Sequence, residues 1–191
     1  MAPQLFKGSG SFGNGAAMRV APIGAYFADD LDMLVKQASL SAMITHSHPE
    51  GIAGAIAVAL AAALAWQHKN SPVSPADFLQ RICEKTPMSE VHLRIAKALA
   101  LLESATVDQA ASALGNGAQV SAQDTVPFCL WAAALHLNHY EEVMWATVSA
   151  SGDCDTTCAI VGGIVVMSAG LESIPFSWIK AREPLPVWFL E

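Results

Sequence analysis

Gly51-Ile52-Ala53-Gly54-Ala55-Ile56-Ala57-Val58-Ala59-Leu60-Ala61-Ala62-Ala63-Leu64-Ala65-Trp66-Gln67 is the longest stretch of the chain without a charge. Alanine fills much of it, and alanine is the best helix former and a poor strand former. Pro49 stands just ahead, in the first turn where a helix tolerates proline. Lys69-Asn70-Ser71-Pro72 closes the run. A helix is therefore predicted from Glu50 to about His68. A membrane span needs about 20 predominantly apolar residues. This run is borderline in length and weakly hydrophobic, so a buried core helix fits better.

Helical patterning continues on both sides. Upstream, Leu31, Leu34, Val35, Ala38 and Ala42 fall on one face. Downstream, Ser74-Pro75 supplies an N-cap and a first-turn proline. Thr86-Pro87 repeats that pattern ahead of a helix predicted to run through Leu102. Val107 to Leu114 is another, stopped by Gly115-Asn116-Gly117. Helices are predicted over roughly Asp124 to Asn138, Tyr140 to Ala150 and Asp155 to Ala169, the last almost wholly apolar and so central. Pro175, Pro184 and Pro186 break up the tail. No alternating strand pattern, repeat or linker is visible. The expectation is an all-α, compact orthogonal bundle formed by one domain over residues 1–191.

Composition agrees. Alanine supplies 34 of 191 residues against 2 tyrosines. Charged residues make up 14%, well below the usual share of roughly 25%. Disorder needs the opposite balance. Mean hydropathy is +0.38 and the net charge is −7, which disfavours a nucleic-acid binder with its basic face. No leader peptide is legible in Met1 to Lys7. Cysteines at 83, 129, 154 and 158 form no disulfide framework, so a reduced cytoplasmic setting without a membrane partner is expected.

Three constellations could carry chemistry. The first is Lys7-Gly8-Ser9-Gly10-Ser11-Phe12-Gly13-Asn14-Gly15. Gly8, Gly10 and Gly13 formally match a dinucleotide fingerprint, but no strand precedes them and no βαβ unit follows. The physics of such a loop remains: successive backbone N–H groups in a Gly/Asn-rich turn form an anion cradle, strengthened if a helix starts at Ala16-Ala17-Met18. The alternative is a flexible terminal loop. The second is Thr45-His46-Ser47-His48-Pro49-Glu50. Two histidines at i,i+2 could enter a cleft from an inter-helix loop, or Ser47 or His48 could simply cap the helix with Glu50 favouring its dipole. Zinc through His46 and His48 would need Cys154 and Cys158, and that spacing fits no standard zinc motif. The third is Ser151-Gly152-Asp153-Cys154-Asp155-Thr156-Thr157. An Asp-x-Asp-Thr turn can converge three hard oxygens on a divalent cation. Otherwise Asp155 is an N-cap and Asp153 a solvated loop residue.

Taken in order, Gly13-Asn14-Gly15-Ala16-Ala17-Met18-Arg19-Val20-Ala21-Pro22-Ile23-Gly24, then Ile44-Thr45-His46-Ser47-His48-Pro49, then Ser151-Gly152-Asp153-Cys154-Asp155-Thr156 resemble the ADP-ribosylglycohydrolases. The tail Gly170-Leu171-Glu172-Ser173-Ile174-Pro175, with Trp178, fits the same family. The resemblance implies an all-α bundle corresponding to the C-terminal two-thirds of a family member. It implies a cleft in which ADP-ribose lies beside two Mg²⁺ or Mn²⁺ ions. Asp153, Asp155 and Thr156 match metal ligands. Ser11, Phe12, Gly13, Asn14 and Gly15 match the loop that holds the diphosphate and distal ribose. His46 matches a histidine lining the nucleotide, and Phe6 an aromatic that packs on adenine.

Two departures stand out. The family's catalytic glutamate and a Thr-Asp-Asp set of ligands belong to a segment expected to lie upstream of this sequence, and Asp29-Asp30 does not replace them. No catalytic base is therefore assigned. Cys154 also stands where threonine is common. Two function classes follow. One is an Mg²⁺-dependent hydrolase removing ADP-ribose from a modified protein or small molecule. The other is an inactive relative that binds ADP-ribose or plays a structural, crystallin-like role. Self-association through an uncovered apolar face is expected as well.

Overall fold

A computed structural model describes residues 6–184 and 186. Residues 1–5, on which the reading of the N-terminus partly rests, lie outside the described residues. The chain runs as α1 (Gly15–Met18), α2 (Ala21–Tyr26), α3 (Leu31–Met43), α4 (Pro49–Gln67), α5 (Pro75–Lys85), α6 (Glu90–Leu101), α7 (Val107–Leu114), α8 (Ala122–Leu135), α9 (Tyr140–Ser149), α10 (Cys154–Ala169) and α11 (Phe176–Ala181). One short 3-10 turn (Phe6–Gly8) precedes α1 and another (Leu171–Ser173) lies between α10 and α11. No strand occurs among the described residues, only an isolated bridge between Gly13 and Ser121. The fold is all-α, as composition and periodicity predict.

α4 is the axis. It is long and apolar enough to cross a membrane by length and composition, yet every residue from Ala53 to Ala65 is buried within this bundle. A helix apolar on all sides must be wrapped by others. α2, α3 and α10 pack most extensively on it, and α1 and α8 complete the wrap. Small residues permit the close approach. A Cβ at Gly24 would overlap the Ala59 carbonyl oxygen and come within 3.0 Å of Ala62 Cβ. α8 is buried from Asp124 to Ala134, and α10 packs between it, α4 and α9.

Caps set the boundaries. Asp30, Ser74 and Ser89 each accept an N–H from three residues on. Thr106 and Gln109 form a reciprocal capping box. Each such cap contributes about 1 kcal/mol. Thr86-Pro87 does not start α6 as its sequence suggests. The Thr86 hydroxyl donates back to the Ile82 carbonyl at 2.8 Å and closes α5 instead, and Ser89 caps the next helix. α2 is not among the helices predicted from the sequence. Pro22 sits in the first turn, and Gly24 answers to packing.

His48 is the N-cap of α4, its Nδ1 accepting from Glu50 N–H at 3.1 Å. Glu50 does more than favour the dipole of its own helix. Its two carboxylate oxygens accept from Glu90 N–H at 2.8 Å and Val91 N–H at 2.9 Å, so it also caps α6. Anionic acceptors are favourable at a helix N-terminus. Glu50→Ala is expected to destabilise the fold by about 1–2 kcal/mol through two orphaned donors, read as a lower urea midpoint at unchanged slope.

Candidate functional site

The glycine loop is pinned from two sides. The Ser11 carbonyl accepts from His48 N–H at 3.3 Å and the Phe12 carbonyl from Ala122 N–H at 2.9 Å. Asn14 N–H donates to the Val120 carbonyl at 3.3 Å, and Gly13 N–H to Ser11 Oγ at 3.2 Å. The N–H groups of Ser11 and Phe12 find no acceptor among the described residues. Carbonyls are thus held by the scaffold while donors remain, which is the polarity an anion cradle needs. Gly10 makes the seating possible. Its φ is +75°, and a Cβ there would overlap Ser47 Oγ and lie 2.7 Å from His48 N.

His46 packs against the same loop. A Cβ at Gly13 would stand 3.2 Å from His46 Nε2, and one at Gly15 3.2 Å from its Cε1. Its Nδ1 pairs with Thr45 Oγ1 at 2.8 Å. Arg19 donates to Thr45 Oγ1 at 3.1 Å and to the Ser41 carbonyl at 2.9 Å, tying the end of α1 to the end of α3. Burial first, and then the Arg19 charge, hold the His46 pKa below the ordinary histidine value. The ring is neutral at neutral pH and offers one donor and one acceptor. Phe12 is 44% exposed and meets His48 edge-on at 5.5 Å. Phe6 is exposed.

The Asp-x-Asp-Thr turn opens α10. Asp153 is its N-cap, with no side-chain cap bond, and Asp155 is the helix's second residue. The alternative reading is therefore wrong on both residues: Asp155 is not the N-cap, and Asp153 is not a solvated loop residue but the half-buried N-cap position, bonded to Asn14. Asp155 is exposed, Asp153 half-buried and Thr156 buried. Burial works to raise the Asp153 pKa, but the hydrogen bond from Asn14, together with hydrogen bonding to Asp155 and Thr156, outweighs it and leaves the carboxyl below its ordinary value. Burial, then the neighbouring Cys154 and Asp155, push the Cys158 thiol up.

Asn14 joins the two constellations. It is 4% exposed, and its Nδ2 donates to Asp153 Oδ2 at 2.7 Å and to Thr125 Oγ1 at 3.0 Å. The structure thus gathers Ser11 to Gly15, His46 and Asp153 into one site with Asp155 and Thr156 on its α10 wall. Sequence reasoning missed Thr125 and Asn116. The Asn116 carbonyl accepts from Asp153 N–H at 3.1 Å, and a Cβ at Gly117 would lie 2.7 Å from Asp153 Cβ. A signal existed: Gly115-Asn116-Gly117 repeats Gly13-Asn14-Gly15, and both runs meet at Asp153. Among the described residues no three His, Cys, Asp or Glu side chains converge well enough to surround a metal ion, so the zinc combination of His46, His48, Cys154 and Cys158 does not form.

An all-α fold in which a glycine-rich loop is stitched to a hard-oxygen turn sets a candidate anion site and a candidate cation site side by side. The sequence model of one family, ADP-ribosylglycohydrolase, matches residues 1–189. The chain belongs to the ADP-ribosylglycohydrolase family. It is 32% identical to the ADP-ribosylhydrolase ARH3 of Bos taurus over 93% of this chain and 55% of the relative. Identity to ADP-ribosylhydrolase ARH3 of Homo sapiens is 31%, over 93% of this chain and 56% of the relative. An uncharacterized protein of Archaeoglobus fulgidus is 31% identical over 87% and 52% respectively. The chain thus spans about half the length of the curated relatives it matches.

Proposed function

We propose that this chain forms the ADP-ribose-holding side, and one metal-holding wall, of a hydrolase that removes ADP-ribose from a modified protein side chain or small molecule. The observation that carries the reading is the Asn14 bridge, 2.7 Å from Asp153. It holds an N–H cradle suited to a diphosphate against carboxylates that would repel one. A divalent cation resolves that conflict. Asp153, Asp155 and Thr156 offer the hard oxygens that Mg²⁺ or Mn²⁺ prefers, and they are the residues that would hold it. Their number is short of a full shell among the described residues, so water or other protein groups complete it. When bound, such an ion neutralises charge and activates water. Hydrolysis adds water across the bond from the ribose anomeric carbon to its acceptor atom. The carbon takes the hydroxyl and the acceptor takes the proton.

This chain's own contribution is placement. The loop donors of Ser11 and Phe12 would fix the diphosphate, and neutral His46 beside Gly13 and Gly15 would border the nucleotide. Four free cysteines support a reducing cytoplasmic setting. The exposed Tyr26 and Trp66, beside Met167 on one face, support self-association. The test is calorimetry with ADP-ribose at rising Mn²⁺, paired with an ADP-ribose release assay on modified protein. Mn²⁺ should tighten ADP-ribose by about tenfold or more, and Asp155→Ala should abolish that gain. Binding without release would favour the ADP-ribose-binding, non-hydrolysing alternative. Equal curves for the native chain and Asp155→Ala would remove the metal assignment.

A further inference from the structure

α10 opens with a second pattern that its carboxylates do not use. Cys154 is the helix's first residue and Cys158 lies one turn on. Positions i and i+4 share a face, with Cβ atoms about 5–6 Å apart. Both thiols are free and partly exposed, whereas Cys83 and Cys129 are buried. The only hydrogen-bonding partner of Cys154 Sγ among the described residues is the Val148 carbonyl, at a long 3.9 Å. Both side chains are therefore partly exposed and neighbouring, and neither makes a close hydrogen bond among the described residues.

The donor count decides what such a pair can hold. With no three His, Cys, Asp or Glu converging among the described residues, a cation that needs three or four protein ligands is poorly served. Trivalent arsenic carrying one organic group needs only two thiols. We propose that Cys154 and Cys158 form a dithiol site for trivalent arsenicals on the flank of the Asp153–Thr156 turn. In its hydrated form the arsenical R–As(OH)₂ exchanges two As–O bonds for two As–S bonds. Each departing hydroxyl takes one thiol proton and leaves as water. Arsenic stays trivalent and no electron is transferred. The helix supplies preorganisation, since the second sulfur meets an arsenic already tethered one turn away and so acts at high effective concentration. Cys154 stands between Asp153 and Asp155, so an occupied site carries its organic group beside the proposed cation wall. The site itself stands without the ADP-ribose reading.

The experiment is titration of the native chain with phenylarsine oxide, followed by intact-mass measurement and mapping of thiols left open to iodoacetamide. One phenylarsenic per chain is expected, with Cys154 and Cys158 both protected. Cys154→Ser and Cys158→Ala, each checked for an unchanged circular-dichroism spectrum, should weaken binding by about 100-fold or more through loss of the chelate. Cys83→Ala should leave it unchanged. Tight binding retained by either single variant, or protection falling on Cys83 or Cys129, overturns the proposal. Because the readout uses only thiols, its failure leaves the ADP-ribose reading untouched, and failure of that reading leaves this result standing.

Discussion

Asn14→Ala is expected to destabilise the chain by about 2–3 kcal/mol near neutral pH, the cost of leaving a carboxylate and a hydroxyl without their buried donor. Asn14 spans the molecule, with Asp153 lying 139 residues away in sequence and Thr125 lying 111 away. Both bonds come from one amide nitrogen, so a single truncation removes both. The sign of the pH dependence follows from Asp153. Burial opposes its ionisation, yet Asn14, Asp155 and Thr156 hold its pKa below the ordinary value. A carboxyl with a depressed folded pKa lends stability above its unfolded pKa, and that stability fades as pH falls through the folded one. The penalty of Asn14→Ala should therefore shrink on acidification. Asn14→Asp sharpens the test, because it keeps the shape and turns the donor into a carboxylate facing Asp153. Two such groups cannot both ionise cheaply. Asn14→Asp should be less stable than Asn14→Ala at about pH 7, and the gap should narrow below about pH 4 as a proton is shared. Urea unfolding at both pH values checks this. Native-like stability of Asn14→Asp at neutral pH would show that the bridge does not hold the site together.

The same residue shows what a linear reading can and cannot reach. α4 was legible because its signals are local: alanine content, a first-turn proline and a closing Lys-Asn-Ser-Pro. α7 was legible to the residue, since Gly115-Asn116-Gly117 stops it and Gly115 indeed ends it. Thr86-Pro87 and Ser74-Pro75 look alike in sequence, yet only the second caps a helix. The difference is where the hydroxyl goes, and Thr86 finds the Ile82 carbonyl. Glu50 illustrates a similar limit: its role in its own helix is readable, but its bond to α6, 40 residues on, is set by packing. The site followed the same rule. Each constellation was visible as a local oddity, and the order of the three pointed to a family. That Asn14 faces Asp153 rather than a ligand, and that a second Gly-Asn-Gly run completes the arrangement, depends on how α8 and α10 lie across the loop. No spacing encodes that.

If the loop holds ADP-ribose as proposed, Gly10→Val is expected to lower its affinity on the order of 100-fold, more than any other single change in the loop. Two costs act at once. Valine at φ +75° would hold a β-branched side chain in the left-handed region, a strain of about 1–3 kcal/mol. Its Cβ would also meet Ser47 and the His48 backbone, neither of which can retreat without disturbing the start of α4. The loop must lift, and the Ser11 carbonyl then loses its bond from His48 N–H. Gly13→Val is milder. Its Cβ would meet only side-chain atoms, His46 Nε2 at 3.2 Å and Ser11 Oγ at 3.3 Å, which can shift by a few tenths of an ångström. A loss of about tenfold is expected there, arising from a displaced His46. Ser11→Ala should change affinity by less than about threefold. The Ser11 hydroxyl accepts from Gly13 N–H, so its removal frees a donor for the anion even as it loosens the turn. Calorimetry on the three variants, with circular dichroism to confirm that each is folded, gives the order directly. A loss at Ser11→Ala exceeding that at Gly10→Val would mean that side chains hold the diphosphate and that the backbone cradle does not.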